Sequence, residues 1–420
     1  MFTETRTARG GKPLERLLLI LILLSFQEAD ILVLPSASTI DSYDEIINSL
    51  SDAARASKIY VVAPLVEKIR CQGKSELIRS NLVFDREGNV VYKKPVNIAS
   101  NCTEFSTAAE TFTTDFGVTF AVYMEEDLVL QRLDAVKDLK NFVVTGGWPL
   151  QMPLLSATRF ASSWAYTDNA NLITSAGIFA GRGGVTGSGA KVVVAELETD
   201  GGSDRPLTAP APSEKRSMVE EDWSHYIIKP LDLDASLRGY KETVCHREFC
   251  CEFDVKISFV GKEVSYGLAA FSGVRHLAGG RHVGAASCAL AACAGHENNS
   301  TNAHFERITI TGNFTGDNAQ FPISTTIDNS PVTFKFDSTT LKDTEKVTIE
   351  VKDVQNLMNF GIFGRDYAKD YETDYVYEER GPEDLYEYIF NDDVQEFFDY
   401  LWIRVRILFF VVSIYVLEML

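Results

Sequence analysis

Residues 30–35 read Asp30-Ile31-Leu32-Val33-Leu34-Pro35, an unbroken apolar run stopped by proline. A run without polar alternation is a strand buried on both faces, as in a sheet covered by helices. Downstream, Tyr43 to Ala56 places Ile46, Ile47, Leu50 and Ala53 at helical spacing. Ile59-Tyr60-Val61-Val62-Ala63 is a second buried strand. Asn81 to Phe84, the turn Asp85-Arg86-Glu87-Gly88-Asn89 and Val90 to Tyr92 predict a hairpin, with Gly88 supplying the turn conformation. Phe116 to Tyr123 and Phe142 to Val144 read as strands, and Leu154 to Tyr166 as a helix. Leu172 to Thr174 and Val192 to Ala195 continue as strands. Alternation of this kind up to about Asp200 predicts a layered α/β domain.

Outward from that core the pattern changes. Residues 201–214 are rich in Gly, Pro, Ser and Asp and read as a linker. Beyond it, Val255 to Phe259, Ile308 to Thr311, Val332 to Phe336 and Val347 to Val351 predict a β-rich domain over 215–365. Residues 366–400 are crowded with acids and tyrosines and read as a solvated tail, with tyrosine sulfation as a weaker option. Residues 401–420 close in an apolar tail, Ile407 to Leu417 and on to Leu420, which Glu418 interrupts. A polar spacer before a short apolar end suits a GPI signal, with attachment around Asn391 to Asp393; a transmembrane anchor or an amphipathic end fits as well. At the other end, Leu17 to Leu24 behind Arg16 reads as a signal-like segment over 1–26, or alternatively as a buried strand or helix end.

The 420 residues carry a formal net charge of −19, which excludes a phosphate-backbone partner such as nucleic acid. There is no C-x2-C pair, His-rich tract or Gly-rich phosphate loop, so neither a metal nor a nucleotide or other cofactor is expected. Cys71 and Cys102 fall in the first domain, where a bridge between them is expected. Cys245, Cys250, Cys251, Cys288 and Cys293 fall in the second, as a disulfide framework whose pairing the sequence leaves open. Glycosylation acceptors stand at Asn101, Asn298, Asn299 and Asn313. Together with the apolar ends they point to the secretory pathway and the extracellular or cell-surface space.

Several segments resemble, in the same order, the vanin/biotinidase branch of the nitrilase-like amidases. They are Asp30 to Pro35, Asn81 to Gly88, Asp115-Phe116-Gly117-Val118-Thr119-Phe120, Trp148, Gln151-Met152-Pro153, Trp164 and Thr186-Gly187-Ser188-Gly189. The second domain adds Cys245-x4-Cys250-Cys251, Cys288-x4-Cys293, Gly312-Asn313-Phe314-Thr315 and Phe363-Gly364-Arg365-Asp366. The resemblance implies an αββα sandwich of the nitrilase type followed by a smaller β-rich, cysteine-containing base domain. It also implies amide hydrolysis of pantetheine or biotinyl conjugates by a glutamate base, a lysine and a cysteine nucleophile. In that chemistry the glutamate takes the thiol proton, the thiolate attacks the amide carbon, and the lysine stabilises the oxyanion. Relatives in this branch carry a first strand and helix before the strand matching Ile31 to Leu34; here the leucine run abuts that strand.

Carried onto this chain, the resemblance puts Ser36 at the base position and Lys94 at the lysine position, with Lys93 one residue out of register. Pro95 departs from the family pattern just beyond. Counting without gaps from Phe116 puts Glu125 at the nucleophile position and Asp127 on the family aspartate. No cysteine lies between Cys102 and Cys245, so no small shift restores a thiol. A serine hydroxyl is not basic enough to activate one. The expectation is a catalytically inactive copy in which Lys94 and Glu125 pair, since an unpartnered buried lysine is costly. Two alternatives stand beside it. One is a carboxylate mechanism using Glu125 or Glu126, hampered if adjacent strand residues point to opposite faces. The other is a surface binding protein that holds a small amide or pantetheine-like ligand and is attached to the membrane through its C-terminus.

Overall fold

A computed structural model describes residues 29–34, 43–71, 74–96, 111–146, 154–188, 193–201, 223, 225–260, 265–277, 281–292, 303–315, 318–326 and 332–371. The first sheet runs in the order β1 (Ile31–Val33), β2 (Tyr60–Cys71), β3 (Lys74–Phe84), β4 (Val90–Val96). Helix α1 (Tyr43–Ser57) bridges the parallel pair β1 and β2, the crossover that a parallel pair requires. Asp44 and Glu45 in its first turn and Arg55 in its last suit the helix dipole. Its Leu50, Ala53 and Ala54 pack on Val61, Ala63, Leu65 and Leu82. In the β3–β4 turn, the Asp85 carboxylate accepts the Glu87 and Asn89 N–H groups at 3.0 and 2.7 Å. Gly88 there has φ of +82°, and a Cβ on it would meet the Ser51 carbonyl at 2.5 Å, so both conformation and space demand glycine. Pro95 is accommodated because β4 is an edge strand in its sheet.

The second sheet contains β5 (Thr111–Thr113), β6 (Thr119–Met124), β7 (Asn141–Thr145), β8 (Asn171–Thr174), β9 (Gly177–Ala180) and β10 (Val185–Ser188), in spatial order β10-β9-β8-β7-β6-β5. Strands β6, β7 and β8 are mutually parallel. One face of this sheet meets the first sheet through Val62, Val83 and Tyr92 against Phe120, Val122 and Val143. Its other face, with Tyr123, Phe142 and Leu172, is covered by Phe160, Ala161, Trp164 and Ala165 of α3 (Ala157–Asp168). Between β6 and β7 lies the short helix α2 (Asp127–Leu130). The expected αββα sandwich is therefore present.

The β-rich domain is itself a sandwich of two five-stranded sheets. Its strands are β11 (Ile227–Pro230), β12 (Tyr240–His246), β13 (Phe249–Val260), β14 (Tyr266–Leu277), β15 (Arg281–Ala292), β16 (Ala303–Thr315), β17 (Ala319–Thr326), β18 (Phe334–Thr340), β19 (Thr344–Gln355) and β20 (Leu357–Arg365). The third sheet runs β11-β14-β15-β20-β17 and the fourth β12-β13-β16-β19-β18. Phe271, Ala285, Phe321 and Phe363 of the third sheet close over α3, so one core spans both domains. The described residues up to Tyr371 are thus layered as helix, sheet, sheet, helix, sheet, sheet.

Disulfides join Cys245 to Cys250 within a hairpin and Cys251 to Cys288 between the two sheets. Cys102 and Cys293 lie outside the described residues, as does the side chain of Cys71. So do Asn101, Asn298 and Asn299, whereas Asn313 is exposed on β16. The signal-like start and residues 372–420 also lie outside the described residues. Among the described residues no helix is long and apolar enough to cross a membrane.

Two readings are corrected. The expected strand Val192 to Ala195 is not seen where it is described: residues 193–198 form no regular ladder, and Val192 lies outside the described residues. Instead the side chains of Asn141 and Asn171 donate to the Thr199 and Glu198 carbonyls, tying the segment to the end of the sheet. The acidic stretch also begins inside the fold. Asp366 is buried, and Tyr367–Tyr371 form a turn of 3-10 helix whose Asp370 pairs with Arg365.

Candidate active site

The parallel strands β6 and β7 end side by side, with Met124 in register with Thr145. The ends of parallel strands, where loops gather, are where α/β folds place their chemistry. Glu125 extends the pairing by one bond, its N–H donating to the Thr145 carbonyl at 2.9 Å. The chain then turns at Glu125–Glu126 into α2, whose Val129 and Leu130 amides donate back to the Glu126 carbonyl. Glu125 and Glu126 thus occupy a strand–turn–helix elbow rather than a strand, and both are buried. The objection that strand neighbours point to opposite faces therefore falls away.

The two carboxylates are nevertheless engaged separately. Glu125 Oε1 accepts the backbone N–H of Ser175 at 2.9 Å and also its hydroxyl. Ser175 belongs to the tight β8–β9 connection, so the second sheet supplies both halves of this contact. Glu126 pairs with Arg79 of β3 at 2.8 Å. Asp127 braces the elbow: one oxygen accepts the Met124 N–H at 2.9 Å and the other the Gln131 side-chain amide at 2.7 Å.

Lys94 faces the elbow from the first sheet, with Nζ 4.8 Å from the centre of the Tyr123 ring. Its register partner Asn81 accepts the Thr145 hydroxyl at 2.5 Å, linking the two sheets. Lys93 points to the opposite face, where it pairs with Glu67 at 2.8 Å. Of the residues singled out from sequence, the fold thus gathers Lys94, Glu125, Glu126 and Asp127. Ser36, Trp148 and Gln151 to Pro153 lie outside the described residues. Ser175 and Arg79 are not among them; they lie 50 and 46 residues from Glu125 and belong to no local motif, whereas Asn81 opens the Asn81 to Gly88 segment without having marked itself as a site residue. Among the described residues no cluster of His, Cys, Asp and Glu is arranged to hold a metal.

Burial pushes the Asp127 carboxyl up to about 6, opposed by its hydrogen bond from Met124, reinforced by Glu126, and opposed by Lys94 and Arg79. Because the folded carboxyl keeps its proton longer than the unfolded one, the stability it contributes is full below the ordinary aspartate range. That contribution is lost as pH rises through about 6. Carboxyl-carbon NMR is expected to place its midpoint near pH 6, and Lys94→Met to move the midpoint higher. A midpoint at the ordinary 3.8 would contradict the burial.

Two facing sheets between helices, with a strand–turn–helix elbow at the end of a parallel strand, define the class of carbon–nitrogen hydrolase folds. The family model of the Vanin C-terminal domain matches residues 218–370. Vanin-like protein 1 of Drosophila melanogaster is 26% identical over 413 residues, covering 77% of this chain and 72% of that protein. Human pantetheinase is 25% identical over 379 residues, covering 77% of this chain and 70% of that protein. Nit3 of Saccharomyces cerevisiae, a solved member of branch 10 of the nitrilase superfamily, is 16% identical, covers 42% of this chain and 79% of that chain, and superposes with a TM-score of 0.31. These comparisons support a vanin-like carbon–nitrogen hydrolase: residues 218–370 match the Vanin C-terminal domain, and about three quarters of the chain is similar to a vanin-like protein and to a pantetheinase.

Proposed function

We propose that this chain is a vanin-like protein that has lost amide hydrolysis at the inherited site and serves as a binding protein on the same fold. The observation that carries this reading is Glu125, a buried carboxylate at the elbow whose Oε1 accepts two hydrogen bonds from Ser175. A carboxylate cannot form the thioester on which the thiol route depends. Donors on its oxygen also lower its nucleophilicity, because they stabilise the charge that would attack. Lys94 and Arg79 are cations at this acid-rich elbow, and the charge of each lowers the pKa of Asp127. The ligand class that suits such a site is a small amide of the pantetheine or biotinyl type.

A second reading is supported by Asp127, whose proton persists to about pH 6 beside two further buried carboxylates. A carboxyl that keeps its proton into the weakly acidic range can serve as a general acid in hydrolysis. Hydrolysis of pantetheine and of a biotinyl amide by the purified protein separates the two. The expected result is no turnover by the natural chain, with activity gained in a Ser36→Glu, Glu125→Cys variant. Turnover by the natural chain that disappears in Glu125→Ala would establish the carboxylate mechanism instead.

We further propose secretion and cell-surface attachment through the C-terminal residues. The Cys245–Cys250 and Cys251–Cys288 disulfides and the exposed acceptor Asn313 support an oxidising compartment.

A further inference from the structure

Away from the elbow, on the outer face of the fourth sheet, three strands bring together a serine, a histidine and an aspartate. Ser258 Oγ on β13 lies 2.5 Å from His304 Nδ1 on β16, and His304 Nε2 lies 2.6 Å from Asp353 Oδ1 on β19. Ser258 Oγ is also 3.3 Å from the His304 carbonyl.

The backbone at this spot is irregular in a way that creates the cluster. Along β13, Cys251, Phe253, Val255 and Ile257 point inward in strict alternation. The register with β16 then shifts between Ile257 and Phe259, so Ser258 is an extra residue in a bulge. In consequence Ser258 and Phe259 are both exposed, and Phe259 stands directly opposite His304. Bulges of this kind re-aim side chains beside active sites. Asp353 has φ of +54°, the left-handed region, which a non-glycine residue in a strand adopts only at a cost. The Asp353 side chain is 86% exposed, and an ion pair in that setting returns little stability. The irregular backbone is thus poorly explained as a stabilising brace.

We propose that Ser258, His304 and Asp353 form a nucleophilic serine site for carboxylic esters that carry an apolar or aromatic group. Asp353 accepts the Nε2 proton and so fixes the tautomer in which Nδ1 is a lone pair facing the serine hydroxyl. This is the relay of serine hydrolases with the two ring nitrogens exchanged. Ser258 Oγ attacks the ester carbonyl carbon as its proton passes to His304 Nδ1. The ester C–O bond breaks, and the leaving alcohol takes that proton. Water then attacks the acyl-serine, gives a proton to His304, and releases the carboxylic acid as the proton returns to Ser258. Phe259, 59% exposed and paired across from His304, supplies the apolar surface beside the reacting group.

The test is labelling of the purified full chain with a fluorophosphonate probe, with hydrolysis of p-nitrophenyl butyrate measured alongside. Mass spectrometry is expected to place the phosphonyl group on Ser258. Ser258→Ala should abolish both signals, and His304→Gln should slow labelling by about 100-fold, the lower bound for a positioned general base. Phe259→Ala should reduce butyrate hydrolysis more than acetate hydrolysis. No labelling of the natural chain, labelling at another serine, or undiminished labelling of Ser258→Ala would each overturn the proposal. Site mapping on the natural chain keeps the test independent of how any variant folds. Neither outcome bears on the elbow, whose residues lie in another sheet.

Discussion

Replacing Arg365 with alanine is expected to destabilise the fold by about 3–5 kcal/mol, the cost of removing one partner from a buried ion pair. Arg365 is 1% exposed, and its guanidinium makes contacts in three directions. Nε donates to the Val129 carbonyl at 2.6 Å, Nη1 donates to the Gly284 carbonyl at 2.7 Å, and Nη2 meets Asp370. The guanidinium also lies 4.3 Å from the centre of the Tyr367 ring. Alanine would leave the largely buried Asp370 without this cation and the Val129 carbonyl without this donor, although Asp370 keeps the Gly284 N–H and the Gly284 carbonyl keeps the Asp366 N–H. Lysine should rescue little, because a single ammonium cannot reproduce a planar fork.

The contact with Val129 gives this variant a second, local signature. Val129 is in α2, the helix that leaves the Glu125 elbow, whereas Arg365 is the last residue of β20. The guanidinium therefore ties the β-rich domain to the candidate site. Urea unfolding should show the loss, and hydrogen exchange at the Val129 and Leu130 amides should quicken more than in β16. A variant within about 1 kcal/mol of the natural chain, the size of one ordinary hydrogen bond, would show that the guanidinium is not what holds the elbow.

The sequence made the first half of this architecture readable because its strands announce themselves. Runs such as Ile59 to Ala63 and Phe142 to Val144 are β-branched or aromatic and continuous. The third sheet is different. Gly267-Leu268-Ala269-Ala270 and Gly284-Ala285-Ala286-Ser287-Cys288-Ala289 carry residues that are poor in strands by propensity, and neither run was read as one. Packing explains them. This sheet is covered on both faces, by α3 on one side and the fourth sheet on the other. A Cβ on Gly361 would meet the Cys288 carbonyl at 2.2 Å, and one on Gly364 would meet the Phe314 ring at 2.5 Å. Small residues are selected there by the close approach of the neighbouring strand at Gly361 and of the facing sheet at Gly364.

The candidate site divides in the same way. Counting from Phe116 reached Glu125 and Asp127, because strand and elbow are continuous in the chain. Ser175 and Arg79 stayed hidden, since they reach the elbow only through the pairing of sheets. The stretch Val193 to Ala195 misled for the opposite reason: its composition is that of a strand, but it forms no ladder, and two asparagine side chains tie the chain down further on, at Glu198 and Thr199.

Breaking the Cys251–Cys288 bridge should cost the fold roughly 4 kcal/mol, and breaking Cys245–Cys250 only roughly 2 kcal/mol, if loop closure in the unfolded chain sets the scale. The difference follows from the loops, which span 37 and 5 residues. Guanidinium unfolding of the two alanine pairs checks the order, and equal midpoints would sink the loop argument. Location should sharpen the contrast. The longer bridge joins β13 to β15, and Cys251 and Cys288 are both fully buried in the core between the two sheets. Gly312 leaves room for the Cys288 sulfur, since a Cβ there would approach it to 2.9 Å. The shorter bridge closes a hairpin that β12 and β13 already hold by seven paired positions. A loss of that size is a large part of the 5–15 kcal/mol that ordinarily separates folded from unfolded protein. It would also loosen the sheet that carries Arg365, and with it the support of the elbow. Reduction should therefore raise amide exchange at Val129 as well as in the sandwich, although no cysteine is near that residue in the chain.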